Sequence, residues 1–197
     1  MPTPERTSRD AIVAAGCDLL ETAGLDGLTM QAVAERVGVR APSLYKRVRN
    51  RHQLVTLVAE ASLRELSTRM DAAAGAPGRD PGIALRRVAR ACRAFAHERP
   101  EGFRLIFAST SGVALGVEAL STASAPVLRV AAELAGQERA LDAARTFTAW
   151  ANGFISMELA GAFRLGGDVD AAFEYGLVRL TRALSSPDDD ERLAAAG

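Results

Sequence analysis

Cysteine, histidine and aromatic residues are all scarce in this chain of 197 residues, which has two Cys, two His and only 5% Phe, Tyr and Trp. Cys17 and Cys92 lie far apart, and neither has a second Cys or a His pair at zinc-ligand spacing. A disulfide framework and a metal site are therefore unsupported, and a reducing compartment fits best. With only His52 and His97 for acid-base work, and no nucleophile-base pair or phosphate loop, an enzyme has little to build on. No catalytic residue, metal ligand or cofactor is assigned. Long apolar runs are missing too: the least charged stretch, Thr146 to Phe163, carries Asn152 and Glu158 and is too polar for a membrane span. Met1 to Asp10 is polar with two prolines, so no secretory signal is read and a cytoplasmic protein is expected. Net charge is zero, from 24 basic and 24 acidic residues.

Strand signals are also wanting. There is no sustained period-two alternation, and Ala, Leu and Arg dominate, so the expected fold is all-α with about nine helices. Hydrophobic residues at 48% and charged residues at 24% are ordinary globular values. A first helix starts at a Thr7 or Ser8 cap, carries Ile12, Ala15, Leu19 and Leu20, and ends at Gly24. Thr29 caps a short second helix, with Met30, Val33, Ala34 and Val37 inward and Gly38 as its exit. Pro42 suits the first turn of a third, reaching about Val48. Asn50 caps a long fourth, which runs to the break at Gly75-Ala76-Pro77-Gly78.

Beyond that break, Asp80-Pro81 opens a helix that Pro100 stops, and a short segment with Phe103 and Phe107 follows. A loose stretch spans Ala108 to Gly116, and a helix from Val117 to Ala135 has a kink or restart at Pro126. A long helix is expected from Gln137 to Leu165, then a last one capped by Asp168 or Asp170. The expected division is 1–50 for an N-terminal domain of short helices, 51–75 for a connecting helix, 76–186 for a C-terminal helical domain, and 187–197 for a frayed acidic tail.

Charge is unevenly distributed. Arg36, Arg40, Lys46, Arg47, Arg49 and Arg51 follow one another with no intervening acid. A basic run alone is most often a solvated face. Here it is centred on a helix-turn-helix layout: Ala34 is small enough for two helices to approach, Gly38 can take a positive φ, and Val33, Val37, Val39, Leu44 and Val48 form an apolar seam. Arg40, Pro42, Ser43, Lys46 and Arg47 are left for a major groove, where Arg and Lys read guanine and Ser reads several bases. Tyr45, Arg51 and the helix starts at Thr29 and Asn50 are placed near phosphate. Double-stranded DNA is the expected partner.

The run Leu28-Thr29, Val33-Ala34, Val37-Gly38-Val39, Leu44-Tyr45, Val48, Asn50-Arg51 and Leu54-Val55 resembles the N-terminal pattern of TetR-family transcriptional regulators over about sixty residues. Val48 stands where the family usually has Phe, and Arg51 where it usually has Lys. Asn152-Gly153-Phe154, with Glu158, Gly161, Phe163 and Asp168-Val169-Asp170, resembles a subgroup whose C-terminal domain bears a His-Gly motif, with Asn152 in place of the histidine. That substitution means a ligand role of the histidine does not transfer, although an amide still donates and accepts hydrogen bonds. The resemblance implies a repressor that dimerises through its last two helices.

The apolar groups between Thr146 and Phe163 occupy all sides of a helix, which calls for burial against its own domain and a partner, or for a central core helix. Phe103, Phe107, Trp150, Asn152, Phe154, Met157 and Glu158 are the candidate ligand-binding residues, with Ser109 to Ser111 as nearby polar chemistry. An unidentified small, mostly apolar molecule is the expected guest, although an aromatic stripe at helical spacing is more often core than cavity. Glu158 is either a ligand contact or a carboxylate paired with Arg145 or Arg164. Three functions stay open: a ligand-released repressor, a DNA binder with a solid C-terminal core, and, least supported, a helical enzyme or lipid carrier.

Overall fold

Capping, rather than helix propensity alone, determines where the helices of this chain begin and end. A computed structural model describes residues 8–78, 80–107 and 115–185. The polar segment before residue 8, the Ser109 to Ser111 chemistry and the acidic tail lie outside the described residues, as does most of the loose stretch from Ala108. Among the described residues nine helices are found: α1 (Arg9–Gly27), α2 (Met30–Val37), α3 (Ala41–Leu44), α4 (Arg51–Ala74), α5 (Pro81–Glu98), α6 (Pro100–Phe107), α7 (Val117–Ala135), α8 (Ala140–Leu159) and α9 (Val169–Leu184). The fold is all-helical.

By its internal contacts the chain forms two units. One comprises residues to Leu66 with Phe95–Ala123, the other Ser67–Ala94 with the residues from Ser124 onward. The division falls within α4, α5 and α7, each of which contributes to both.

In the first unit, Ser8 Oγ accepts from the Ala11 amide at 3.1 Å and starts α1. Gly24, at φ +68° and ψ −176°, leaves the helical conformation, as expected, but a further turn follows and α1 is continued to Gly27. The core of this unit includes Ile12, Leu20, Leu28, Val33, Leu44, Val48, Leu54, Val58 and Leu105. Gly16 admits the close approach of α1 and α4, since a Cβ there would stand 2.7 Å from Val58 Cγ2. The start of α6 is held by α1, for the Glu21 carboxylate accepts from the amides of Glu101 at 3.1 Å and Gly102 at 2.8 Å.

In the second unit, Phe147, Ala151 and Ile155 form the inner stripe of α8 and are buried, as are Phe173 and Leu177 of α9. Asp168 Oδ1 caps α9, accepting from Asp170 and Ala171. Two expectations are corrected here. The long helix does not run from Gln137 to Leu165: α8 starts at Ala140 and stops at Leu159, because Gly161 turns to φ +62° and its amide and that of Ala162 fold back onto Glu158 and Met157 carbonyls. Of the kink or restart expected at Pro126 in α7, the restart is absent, for Pro126 is buried inside a continuous helix.

Candidate nucleic-acid interface

The turn between α2 and α3 is built from local hydrogen bonds. Thr29 Oγ1 accepts from the Ala32 amide at 3.1 Å, which sets the start of α2. Gly38 takes φ +72° and ψ 37°, its amide donating to Glu35 O at 3.1 Å while the Val39 amide donates back to Ala34 O at 2.9 Å. This two-bond exit turns the chain sharply and requires a left-handed residue, which glycine adopts without strain. Pro42 lies in the first turn of α3. The helix is shorter than expected: α3 ends at Leu44, and Tyr45 to Arg47 form a turn closed by Arg47 and Val48 amides on Leu44 O, each at 2.8 Å. Leu44 and Val48 are fully buried. Two buried anchors four residues apart thus seat a segment whose other side chains face out.

Arg40, Pro42, Lys46 and Arg47 are exposed, Ser43 is half-buried, and Tyr45 is 53% exposed. Thr29 is half-buried and its hydroxyl is engaged in the cap. The segment is free of acid in sequence but not in space, for Arg36 pairs with Asp18 of α1 at 3.3 Å. Arg51 is exposed and also bonded to protein groups: its Nε donates to Leu28 O at 2.9 Å and its Nη2 to Leu25 O at 2.5 Å.

At the start of α4 the expected Asn50 cap is formed, and Gln53, which the sequence did not single out, completes it. Asn50 Oδ1 accepts from the Gln53 amide at 2.9 Å and Gln53 Oε1 accepts from the Arg49 amide at 2.7 Å. Beside this cap is a cleft of about 320 Å³ lined by Arg9, Arg49, His52 and Glu60 among others. Arg49 belongs to the basic run and was visible in it; Arg9 gives no local signal.

Two models of known families match. One, "Bacterial regulatory proteins, tetR family", matches residues 12–58, and the other, "Tetracyclin repressor-like, C-terminal domain", matches residues 85–180. The chain belongs to the TetR family. As in that family, it is a DNA-binding transcriptional regulator with an N-terminal helix-turn-helix and a helical C-terminal domain, and it is not an enzyme. An uncharacterized HTH-type transcriptional regulator of Mycobacterium tuberculosis is 28% identical over 188 residues, covering 92% of this chain and 83% of the relative. The class A tetracycline repressor of Escherichia coli from transposon 1721 is 44% identical, but over 59 residues, 30% of this chain and 27% of that protein. The crystal structure of a TetR variant from Acinetobacter baumannii in complex with minocycline superposes with a TM-score of 0.68 at 28% identity, covering 91% of this chain and 99% of that one.

The residues expected to bind a ligand fall into separate groups in this TetR-family chain. Phe103, in the first unit, is buried with its ring 4.8 Å from that of Phe107. In the second unit, Trp150 stacks on Phe173 at 5.4 Å, and Phe154 meets Phe173 at 5.2 Å and Phe163 at 4.8 Å. Asn152 Oδ1 accepts from Ser156 Oγ at 3.3 Å, and Met157 is 49% exposed. Glu158 is paired with a residue that sequence spacing did not suggest. Where Arg145 and Arg164 were the expected partners, Arg93 of α5 bonds both carboxylate oxygens, while Arg164 Nε donates to Gly161 O. Arg93 also reaches Asp170 and lies 4.8 Å over the Phe173 ring, and these bonds hold its pKa above the ordinary arginine value. No helix among the described residues is long and apolar enough to cross a membrane.

Proposed function

We propose that this regulator is a homodimeric repressor that binds a near-palindromic operator and is released from it by a small, mostly apolar molecule. The observation that carries the DNA-reading part is the exposed set of Arg40, Pro42, Lys46 and Arg47 beside the buried anchors Leu44 and Val48. Arg40 and Lys46 supply base readout, Ser43 a shorter contact, and Tyr45 a hydroxyl for phosphate. Two copies place their reading segments about one duplex turn apart or somewhat more, on the order of 34 Å. The dimer is inferred from α8 and α9, whose exposed apolar side chains include Met157 and Tyr175, the latter 66% exposed. Residues 1–50 serve as the reading head, 51–75 as a connecting helix, and 76–186 as the ligand-binding and dimerisation region. The C-terminal domain is of the His-Gly subgroup, with Asn152 in the histidine's place. A DNA-bound regulator of this kind works in the cytoplasm.

Release by a ligand needs differential affinity: a tenfold loss of operator binding takes about 1.4 kcal/mol of coupling. The minocycline complex of the Acinetobacter baumannii protein supports a ligand-bearing C-terminal region in this chain. A second reading, a DNA binder with a solid C-terminal core, is favoured by the mutual ring contacts of Trp150, Phe154 and Phe173, which fill space with side chains.

Selection of duplexes from genomic fragments, followed by binding titrations with and without a panel of apolar compounds, tests both readings. Enrichment of a palindrome that an apolar compound releases is the expected result. A palindrome bound with the same affinity in every compound leaves the solid-core reading, and absence of any enriched, salt-sensitive duplex overturns the operator reading altogether.

A further inference from the structure

We infer that Arg51 is a positioning residue of the DNA-reading unit, strapping the end of α1 to the start of α4, and that it does not contact phosphate. The inference rests on the DNA-binding reading and replaces the phosphate role that the sequence suggested for this cation.

The physical basis is the chemistry of a helix end. The last carbonyls of a helix lack intrahelical partners and carry the negative end of its dipole. In α1 the problem begins early, because Gly24 leaves the helical conformation at φ +68° and interrupts the ladder before Leu25. Leu25 O and Leu28 O are then satisfied from outside the helix: Arg51 donates Nη2 to the first at 2.5 Å and Nε to the second at 2.9 Å. The Leu28 amide donates to Leu25 O as well, at 3.3 Å, so the guanidinium closes a small network around one turn. Leu28 itself is fully buried.

The next residue is Thr29, the cap of α2, and α2 leads through Gly38 to the reading segment. Fixing Leu28 therefore fixes the entry angle of α2 against α4. A guanidinium suits the task because Nε–H and Nη–H form a rigid fork that meets two acceptors at once; a lysine ammonium at the same place is a single point charge on a flexible stem. Pairing with backbone carbonyls also accounts for arginine here without any appeal to a polyanion.

The test compares the wild-type full chain with Arg51→Lys and Arg51→Gln, using the palindromic duplex that the wild type enriches from random fragments. Affinity is measured over a salt series, and amide exchange of Leu28 and Thr29 is followed in the DNA-free protein. Both variants are expected to lose about tenfold in affinity. Lysine should do no better than glutamine, the salt slope should stay at the wild-type value, and both amides should exchange faster at temperatures where the variants are folded by circular dichroism. Wild-type affinity with lysine, combined with a slope reduced by about one per subunit with glutamine, is the signature of a phosphate contact and overturns the inference. If the wild type enriches no duplex, the operator reading fails, and the exchange experiment alone decides the strap: unchanged protection of Leu28 and Thr29 in both variants overturns it.

Discussion

Arg93 and Glu158, 65 positions apart in sequence, form a two-point ion pair in which both side chains are largely withdrawn from water, at 16% and 13% exposure. The pair joins α5 to α8, and the same guanidinium reaches Asp170 at the start of α9, so one side chain ties three helices of the second unit. A charge at this depth is stable only while it is paired.

Removing one partner of this pair is therefore costly. Glu158→Ala leaves Arg93 with the exposed Asp170 carboxylate and the Phe173 ring and should lower stability by about 2 kcal/mol in urea unfolding. Asp170→Asn, at a carboxylate whose side chain is 80% exposed, should cost under about 1 kcal/mol. Equal losses from the two variants would mean that burial does not set the strength of the Arg93 contacts.

A second ion pair predicts an acid limb in the stability curve. The Arg90 guanidinium, bonded to both oxygens of Glu174 at 2.7 Å, holds that carboxyl below its ordinary value of 4.5. Because the folded-state pKa is the lower one, the pair stabilises the fold above the unfolded value and that contribution fades as pH falls through the folded value. Both side chains are partly exposed, so the effect stays below about 1 kcal/mol. Glu174→Gln should remove this increment at pH 7 while matching the wild type near pH 2. A stability difference that persists unchanged across that range contradicts the assignment.

Packing of the single tryptophan gives a spectroscopic prediction. A Cβ on Gly176 would stand 2.8 Å from Trp150 Cζ2 and 3.3 Å from its Cε2. Gly176→Ala gains helix propensity of about 1 kcal/mol but must displace a ring stacked on Phe173, at a cost of about 1–3 kcal/mol. A shifted Trp150 emission with no gain in melting temperature is expected. Unaltered emission together with a raised melting temperature would show that the ring has room to spare.

The two thiols should be inert in the folded protein. Burial pushes Cys92 up to about 12, and Cys17 is raised mainly by burial with Glu65 adding to it. The thiolate is the reactive form, so at pH 8 a disulfide reagent should modify neither at the rate of a free thiol until denaturant is added, with Cys17 the faster of the two. Rapid native labelling of Cys92 would show that it is not enclosed.

Local chemistry made much of this molecule legible. Thr29 as a cap, Gly38 as a left-handed exit and Pro42 in a first turn each depend on neighbours within a few residues, and each stands where the pattern put it. Apolar positions at helical spacing likewise announced Val33, Leu44 and Val48 as anchors of the seam. Lengths were less legible. α3 stops at Leu44 rather than near Val48, and α8 stops at Leu159, because turn geometry competes with a helix pattern at energies that sequence spacing does not resolve.

From its sequence alone, the chain determined that it is helical, where its helix-turn-helix lies and which face of that segment is apolar, since these follow from periodicity and capping over a few residues. Tertiary structure alone decided which charges are matched. Arg36 meets Asp18 from another helix, Arg93 meets Glu158 across 65 positions, and Arg51 turns to the carbonyls of Leu25 and Leu28. A charge count along the chain sees none of these partners. The physical reason is that a guanidinium has several donors and a long stem, so its partner is set by which acceptors folding brings within about 3 Å, and folding brings them from anywhere in the sequence.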